Sequence, residues 1–501
     1  MLRFEYMNIS VKISRMLEEA LKRETRTEYQ TSWCRILVGV NLLSKKRALL
    51  LMLIIPLLAL GSTGLHVILS PSLSINSFPA VSNSYKPSLE DLNRYLSVPA
   101  IFSGGMQISL GKSRLYLNMD LRQEFSDYLM GKWFSNLPLS TTSFLPSIDM
   151  NFPRLGYFER RDENSLISLG RRKLSLGGST YSFVLSNTLP YFDHLWIELN
   201  GKAKSGEYLY NFFVISSDRT VSGGPKTLLG HRFGYMNDNL KVTFGEENLV
   251  YGVYPDLQDI GPFLIYHHTY QDHSNVTATI AAEVKIDRAI AYGEFTLDDF
   301  RLSTESPNSN PTAFGWLAGF SWKISDGLPY SGLRFTEAEN EVRDRTLLNS
   351  GGLRVRMEHY HATTYLYNRG ISIGKFTYQY RFNVLHLDSW PVITGFFGFP
   401  FGPDSTLSLV GIEYESQNVF VKVALELLRE GSFTIDSPYS PPFDQDWYGP
   451  KNPINRSLIL SLTCFFAYCP DTALFAGGKV IFADHIDFWI NVGFIKGFSL
   501  F

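Results

Sequence analysis

From about residue 105 onward, apolar and polar side chains alternate one by one along much of the chain. In 114–122, Arg114, Tyr116, Asn118, Asp120 and Arg122 alternate with Leu115, Leu117, Met119 and Leu121. A period of two sends successive side chains to opposite faces of a strand, so such a run predicts a strand with one wet and one greasy face. Residues 353–361 repeat it, with Leu353, Val355 and Met357 against Arg354, Arg356 and Glu358. The most regular alternation is in 375–384, where Lys375, Thr377, Gln379, Arg381 and Asn383 oppose Phe376, Tyr378, Tyr380, Phe382 and Val384. Hairpins follow the same logic. Ile280, Ala282, Val284 and Ile286 oppose Glu283, Lys285 and Asp287, and after a short turn Phe295 and Leu297 oppose Glu294, Thr296 and Asp298. Val410, Ile412 and Tyr414 lead through Ser416-Gln417-Asn418 into Val419, Val421, Val423 and Leu425. Leu458, Leu460, Leu462, Phe466 and Tyr468 precede a Cys-Pro-Asp turn.

The first hundred residues read differently. Lys45-Lys46-Arg47 precede an apolar run from Ala48 to Leu60, with small residues at Ala59 and Gly61. Basic, apolar and small segments in that order predict a secretory leader over 1–61, too short in its apolar part for a comfortable membrane span. Residues 62–100, rich in Ser, Pro and Asn, read as an irregular lead-in. Ser88 with Asp91 three positions on, and Leu89, Leu92 and Leu96 on one face, predict one short helix inside it.

Composition decides what the strands build. Charged residues are only 19% of the 501, aromatics reach 14% with 27 Tyr and 37 Phe, and the net charge of −2 gives no nucleic-acid footprint. A soluble sandwich also alternates, but has seven to nine strands, fewer than are legible here. Tyr and Phe on the apolar faces suit a membrane-interface girdle, and the mixed charges opposite them suit a wet lumen. Lipid tolerates no unpaired backbone, so half-greasy strands must close on one another. The expectation is an all-β chain: residues 101–501 as a transmembrane antiparallel β-barrel of about 16–18 strands, 18 favoured, with a small N-terminal helical or irregular element. The C-terminal Phe501 fits a barrel-type end signal for the barrel-assembly machinery.

Candidate chemistry is sparse. Cys464 and Cys469 admit two readings, a disulfide or two separate thiols. His267, His268 and His273 with Asp272 form the histidine cluster, but adjacent His267 and His268 point to opposite strand faces, so no metal and no cofactor is expected. Asp298-Asp299 is a carboxylate pair divided between two faces in the same way, and no nucleophile-elbow, zinc-protease or phosphate-loop pattern occurs, so no enzyme is expected. Arg354, Arg356, Lys375 and Arg381 are expected to line a lumen opposite Glu283, Glu294 and Asp298, as solvated or paired wall residues or as a selectivity ring. Tyr251, Tyr254, Asp256, Asp259, Tyr266 and His267 offer rings and carboxylates that suit a sugar, while Pro255-Asp256 equally reads as a turn.

Two segments resemble the Wzi family of outer-membrane barrels associated with capsular polysaccharide. One is Gly170-Arg171-Arg172-Lys173-Leu174-Ser175-Leu176-Gly177 with Leu185-Ser186-Asn187 and Pro190-Tyr191-Phe192-Asp193-His194. Leu176 stands where that family carries Trp. The other runs from Tyr251-Gly252 through Pro255-Asp256-Leu257-Gln258-Asp259 and Pro262-Phe263-Leu264-Ile265-Tyr266-His267 to Asn275. It ends with Gly293-Glu294-Phe295, then Leu297-Asp298-Asp299-Phe300. The resemblance implies an 18-stranded barrel in the bacterial outer membrane with outer-membrane lipid and surface polysaccharide as partners, binding polysaccharide for capsule assembly. The alternatives are a general diffusion porin or outer-membrane channel and, further off, an outer-membrane hydrolase.

Overall fold

A computed structural model describes residues 63–77, 95–96, 98–122, 136, 154–217, 224–256, 259, 266, 273–306, 308–334, 341–348, 351–381, 392–444 and 446–499. The strands in chain order are β1 (Thr63–Asn76), β2 (Phe102–Leu110), β3 (Ser113–Leu121), β4 (Leu155–Arg161), β5 (Ser165–Arg172), β6 (Leu174–Ser175) and β7 (Phe192–Ala203). Then come β8 (Gly206–Ser217), β9 (Lys226–Met236), β10 (Leu240–Tyr251), β11 (Ser274–Ile286), β12 (Ala289–Asp299), β13 (Ala313–Ser325), β14 (Val342–Arg343) and β15 (Gly352–Ala362). The last are β16 (Thr377–Arg381), β17 (Val392–Phe396), β18 (Ser405–Glu415), β19 (Val419–Glu430), β20 (Asn455–Cys469), β21 (Thr472–Phe482) and β22 (Ile486–Ser499). Eighteen of them form one antiparallel sheet in chain order, and β1 pairs with β22 from His66 opposite Ser499 to Asn76 opposite Trp489. That seam closes the sheet, so the barrel has no free edge, as lipid requires. The pairs β6–β14 and β16–β17 form two small sheets that are not part of the wall.

The two barrel ends differ. At one end most connections are tight, such as Gly111–Lys112, Asp287–Arg288 and Pro470–Asp471. The segment 326–351 is the exception there. At the other end most connections are long. In outer-membrane barrels short turns face the periplasm and longer loops face outward. At the Pro470–Asp471 turn, the Cys469 thiol, Lys496 and Thr472 donate to the Asp471 carboxyl and hold it at about 2, well below the usual range. A depressed carboxylate contributes to stability above its unfolded value, so this tie to β22 weakens only in strong acid, as pH falls toward 2.

Alternation assigns the faces as the sequence expects over most of the wall. In β11, Ile280, Val284 and Ile286 lie exposed on the outside, while Thr277, Thr279 and Glu283 are buried inside. The outer surface carries Leu, Ile, Val, Phe and Trp in tiers that run across neighbouring strands. Met357, Val410, Leu425, Leu460 and Val480 form one such tier. Each apolar side chain turned to lipid rather than water avoids a hydration cost of roughly 25 cal/mol per Å².

Two expectations change. Residues 62–100 were expected to be irregular, but 63–76 is the wall strand β1, where small Ser70, Ser72 and Ser74 face inward and Leu73 and Ile75 outward. Serine-rich alternation carries little hydropathy contrast, which hides the strand. Within 88–96, Tyr95 and Leu96 are helical and the remaining positions fall outside the described residues, as does the leader. The run 375–384 is not a wall strand. Part of it is β16, paired with β17, and Phe376, Tyr378 and Tyr380 are buried in an aromatic core rather than turned to lipid.

Cys464 and Cys469 are free. Cys464 lies on the outward parity of β20 between Val421 and Ala476, and Cys469 sits at the turn with its Sγ 2.9 Å from Asp471. A water-soluble maleimide applied to membranes should label Cys469 and spare Cys464, read by peptide mass spectrometry. Equal labelling of both would remove Cys464 from the lipid belt.

Candidate functional site: a charged lumen closed by inward-folded segments

An 18-stranded barrel is too wide for wall side chains alone to fill. Here three connecting segments fold inward, 173–191 and 363–404 from the long-loop end and 341–348 from the turn end. Carboxylates on the inner wall hold them by accepting hydrogen bonds. Glu294 of β12 accepts from the Ser182 hydroxyl at 3.0 Å and the Phe183 N–H at 2.5 Å. Glu358 of β15 accepts from the Thr180 N–H at 3.0 Å and from the Tyr292 and Tyr360 hydroxyls at 2.7 Å. Glu283 of β11 accepts from Thr346 at 2.8 Å and the Leu347 N–H at 2.6 Å. Asp298 accepts from the Tyr367 N–H at 2.8 Å and pairs with Arg369 at 2.9 Å, while Asp299 also pairs with Arg369. Burial alone would lower the ionisation of Arg369, but Asp298 and Asp299 outweigh it and push it above the usual guanidinium range. A carboxylate aimed at backbone N–H groups makes a charge-assisted bond, and each one fixes a stretch of loop that has no ladder of its own.

Packing completes the closure. Phe183, Tyr360 and Phe399 cluster with ring centroids 4.9–6.3 Å apart. Phe183 lies against two glycines. A Cβ on wall residue Gly315 would stand 2.3 Å from its ring, and one on Gly398 would stand 2.1 Å from its carbonyl oxygen. These side-chain-free positions let wall and inserts approach closely. Within the lumen, β14 pairs in parallel with β6, Val342 opposite Leu174 and Arg343 opposite Ser175. Arg343 also donates to the carbonyls of Gly177 at 3.1 Å and Ser179 at 2.9 Å.

Between the 177–181 stretch and the wall of β15 and β18–β21 lies a cavity of about 240 Å³, lined by Thr180, Tyr181, Arg354, Arg356, Glu413, Lys422, Glu426 and Lys479 among others. Arg354 pairs with Glu413, Arg356 lies 3.4 Å from Glu358, and the Tyr181 hydroxyl donates to Glu426 at 3.3 Å. Among the described residues Lys422 and Lys479 make no ion pair.

The structure divides the expected lumen set between the wall and an insert. Arg354, Arg356, Glu283, Glu294 and Asp298 do face inward, with the three acids serving as loop holders. Lys375 is not on the wall: it belongs to the 363–404 insert and donates to the Ile435 carbonyl at 2.5 Å. Arg381 closes β16 on that same insert. Both misplacements follow from taking 375–384 as a wall strand. Sequence reasoning missed Lys422, Lys479, Glu413 and Glu426, although alternation with Val421, Val423 and Leu425 places Lys422 and Glu426 inside and alternation with Ile412 and Tyr414 does the same for Glu413.

Among the described residues the expected sugar residues are divided between buried and exposed positions. Asp259 is buried, its carboxylate accepting from the Asp256 N–H at 2.8 Å in a local turn. Tyr266 is buried, stacked on His231 at 4.7 Å, its hydroxyl donating to the Asp259 carbonyl at 3.2 Å. Tyr251 is buried, and Tyr254 and Asp256 are exposed. His267, His268 and Asp272 fall outside the described residues, and the backbone carbonyl of His273 accepts from the Tyr251 N–H at 2.9 Å. Among the described residues no group of side chains is arranged for a metal ion.

No family model and no curated protein matches the sequence. Solved structures similar to this chain include three bacterial proteins. Pseudomonas aeruginosa OccK3 has 7% identity and a TM-score of 0.43, covering 88% of this chain and 96% of that one. Acinetobacter baumannii OccAB2 has 10% identity and a TM-score of 0.41, covering 88% and 98%. The outer membrane protein OprD of Pseudomonas aeruginosa has 7% identity and a TM-score of 0.41, covering 87% and 94%. The closed sheet of 18 strands with its apolar outer face makes the chain a barrel of the outer-membrane type. The expectation of a Wzi-like, polysaccharide-retaining barrel is corrected: the similar structures are Occ and OprD proteins, and nothing points to the Wzi family.

Proposed function

We propose that this chain is an outer-membrane channel for small solutes, with small anions favoured. The observation that carries the reading is the cavity of about 240 Å³ between the wall and the 177–181 stretch, lined by Arg354, Arg356, Lys422 and Lys479 against Glu413 and Glu426. Its size suits a solute of a few heavy atoms rather than a polymer. Rings of fixed charge set the selectivity of a narrow aqueous passage by raising the local concentration of the opposite ion. The inserts argue against a wide diffusion pore. Export through the 45–61 leader and insertion by the barrel-assembly machinery accompany this proposal.

In planar bilayers the purified barrel should show small unitary currents, with chloride preferred over potassium by about twofold or more. If neither the intact protein nor a form lacking 178–188 conducts, the channel reading is rejected.

A further inference from the structure

The tier of outward-facing residues that borders the apolar belt at the long-loop end changes character across five strands. Trp316 lies opposite His361, His361 opposite Thr406, Thr406 opposite Arg429, and Arg429 opposite Arg456. One tier deeper in the membrane the same strands present Ala318, His359, Ser408, Leu427 and Leu458, and Phe482 of the next strand, β21, lies opposite Leu458. Two arginines thus face each other directly across β19 and β20, both exposed, on the outside of the barrel and immediately above apolar side chains.

Like charges opposed across a ladder repel one another, so such a pair calls for an anion between them. The protein supplies none among the described residues: neither guanidinium makes an ion pair, and Asp484, in the turn that follows β21, does not reach Arg456. Beneath the pair lies an open recess of about 440 Å³ lined by Leu427, Leu428, Arg429, Arg456, Ser457, Leu458 and Phe482. Leu427 is 54% exposed and Phe482 42%, which makes the floor apolar and unpartnered within the chain.

We infer that this recess binds a phosphate-bearing lipid of the leaflet at the long-loop end, with the phosphate between Arg429 and Arg456 and an acyl chain along Leu427, Leu458 and Phe482. A guanidinium presents a planar fork of N–H donors that matches phosphate oxygens in pairs, and two forks about 5 Å apart can share one phosphate group. The apolar floor selects a lipid over a free anion, because a water-soluble phosphate would leave it uncovered. Neither arginine touches the lumen, so this site stands independently of the channel reading.

Native mass spectrometry of the full barrel tests it, with lipid A carrying two phosphates, the same lipid stripped of phosphate, and inorganic pyrophosphate as probes. The intact protein should retain phosphorylated lipid A about tenfold more tightly than the stripped lipid, and pyrophosphate only weakly. Arg429→Gln with Arg456→Gln should lose that tenfold preference, and Arg429→Lys with Arg456→Lys should keep part of it. Heat-dependent mobility on gels confirms that each variant is folded. Equal retention of the two lipids by the intact protein, an unchanged preference in the Gln variant, or pyrophosphate binding as tightly as lipid would each overturn the inference.

Discussion

Removing the wall carboxylates that hold the 173–191 segment should raise the unitary conductance several-fold. The variant is Glu294→Ala with Glu358→Ala. Glu294 holds Ser182 and Phe183, and Glu358 holds Thr180, so between them they fix the stretch that borders the charged cavity. A hydrogen bond to a charged group contributes about 1.5–3 kcal/mol, so losing one such bond from each acid costs the docked segment roughly 3–6 kcal/mol. A shift of that size changes the ratio of docked to undocked segment by about a hundredfold or more. The Phe183–Tyr360–Phe399 packing opposes release, which is why two acids are changed together. Glu294→Gln with Glu358→Gln is the milder comparison, because an amide oxygen still accepts from the same N–H groups. Bilayer recordings on barrels shown by gel mobility to be folded provide the measurement. An alanine variant that conducts like the unaltered protein would mean that the acids do not hold the segment.

Reversing the two lysines of the cavity is expected to reverse its ion preference. As it stands the lining carries four cations and two acids. Lys422→Glu with Lys479→Glu leaves two cations and four acids, so the lining changes from net +2 to net −2. Arg354 and Arg356 already have acid neighbours in Glu413 and Glu358, whereas among the described residues the two lysines have no ion-pair partner. Their charges are therefore offset only at longer range, by Glu413, Glu358 and Glu426, and reversing them changes the field that an entering ion meets. The zero-current potential in a potassium chloride gradient should change sign, and the effect should shrink as salt rises, because the Debye length falls to about 3 Å at 1 M. A potential that keeps its sign would place the conducting path away from this cavity.

Much of the wall is legible in the sequence because lipid on one side and polar groups on the other enforce a period of two. Arg114 to Arg122, Ile280 to Asp287 and Val419 to Leu425 all take the faces their alternation implies. The same rule misleads at 375–384. Alternation reports that one face is apolar, not what covers that face. Phe376, Tyr378 and Tyr380 meet Tyr191, Phe192, Tyr367 and Phe397 inside the barrel, where lipid never reaches. Strand β1 escapes notice for the opposite reason, since serines on its inner face lower the contrast that alternation needs. The roles of Glu283, Glu294 and Asp298 were out of reach. Their inward direction follows from parity, but their partners Leu347, Phe183 and Tyr367 lie 64, 111 and 69 positions away along the chain. Nor could the polysaccharide residues be judged from type alone. Asp259 and Tyr266 are the residues a sugar site would use, yet the chain spends them on its own turn and on the ring of His231.

The parallel pairing of Val342–Arg343 with Leu174–Ser175 joins a segment that enters through one mouth of the barrel to a segment that enters through the other. Its consequence concerns the order of assembly. Two strips of chain that meet inside a closed cylinder, with aromatic rings packed around them, are hard to thread through the mouths afterwards. All three inserts lie between residues 173 and 404, upstream of the last five wall strands, so the filling can gather on an open sheet before β22 arrives. The β1–β22 seam is then the final event, a wall drawn around a finished interior.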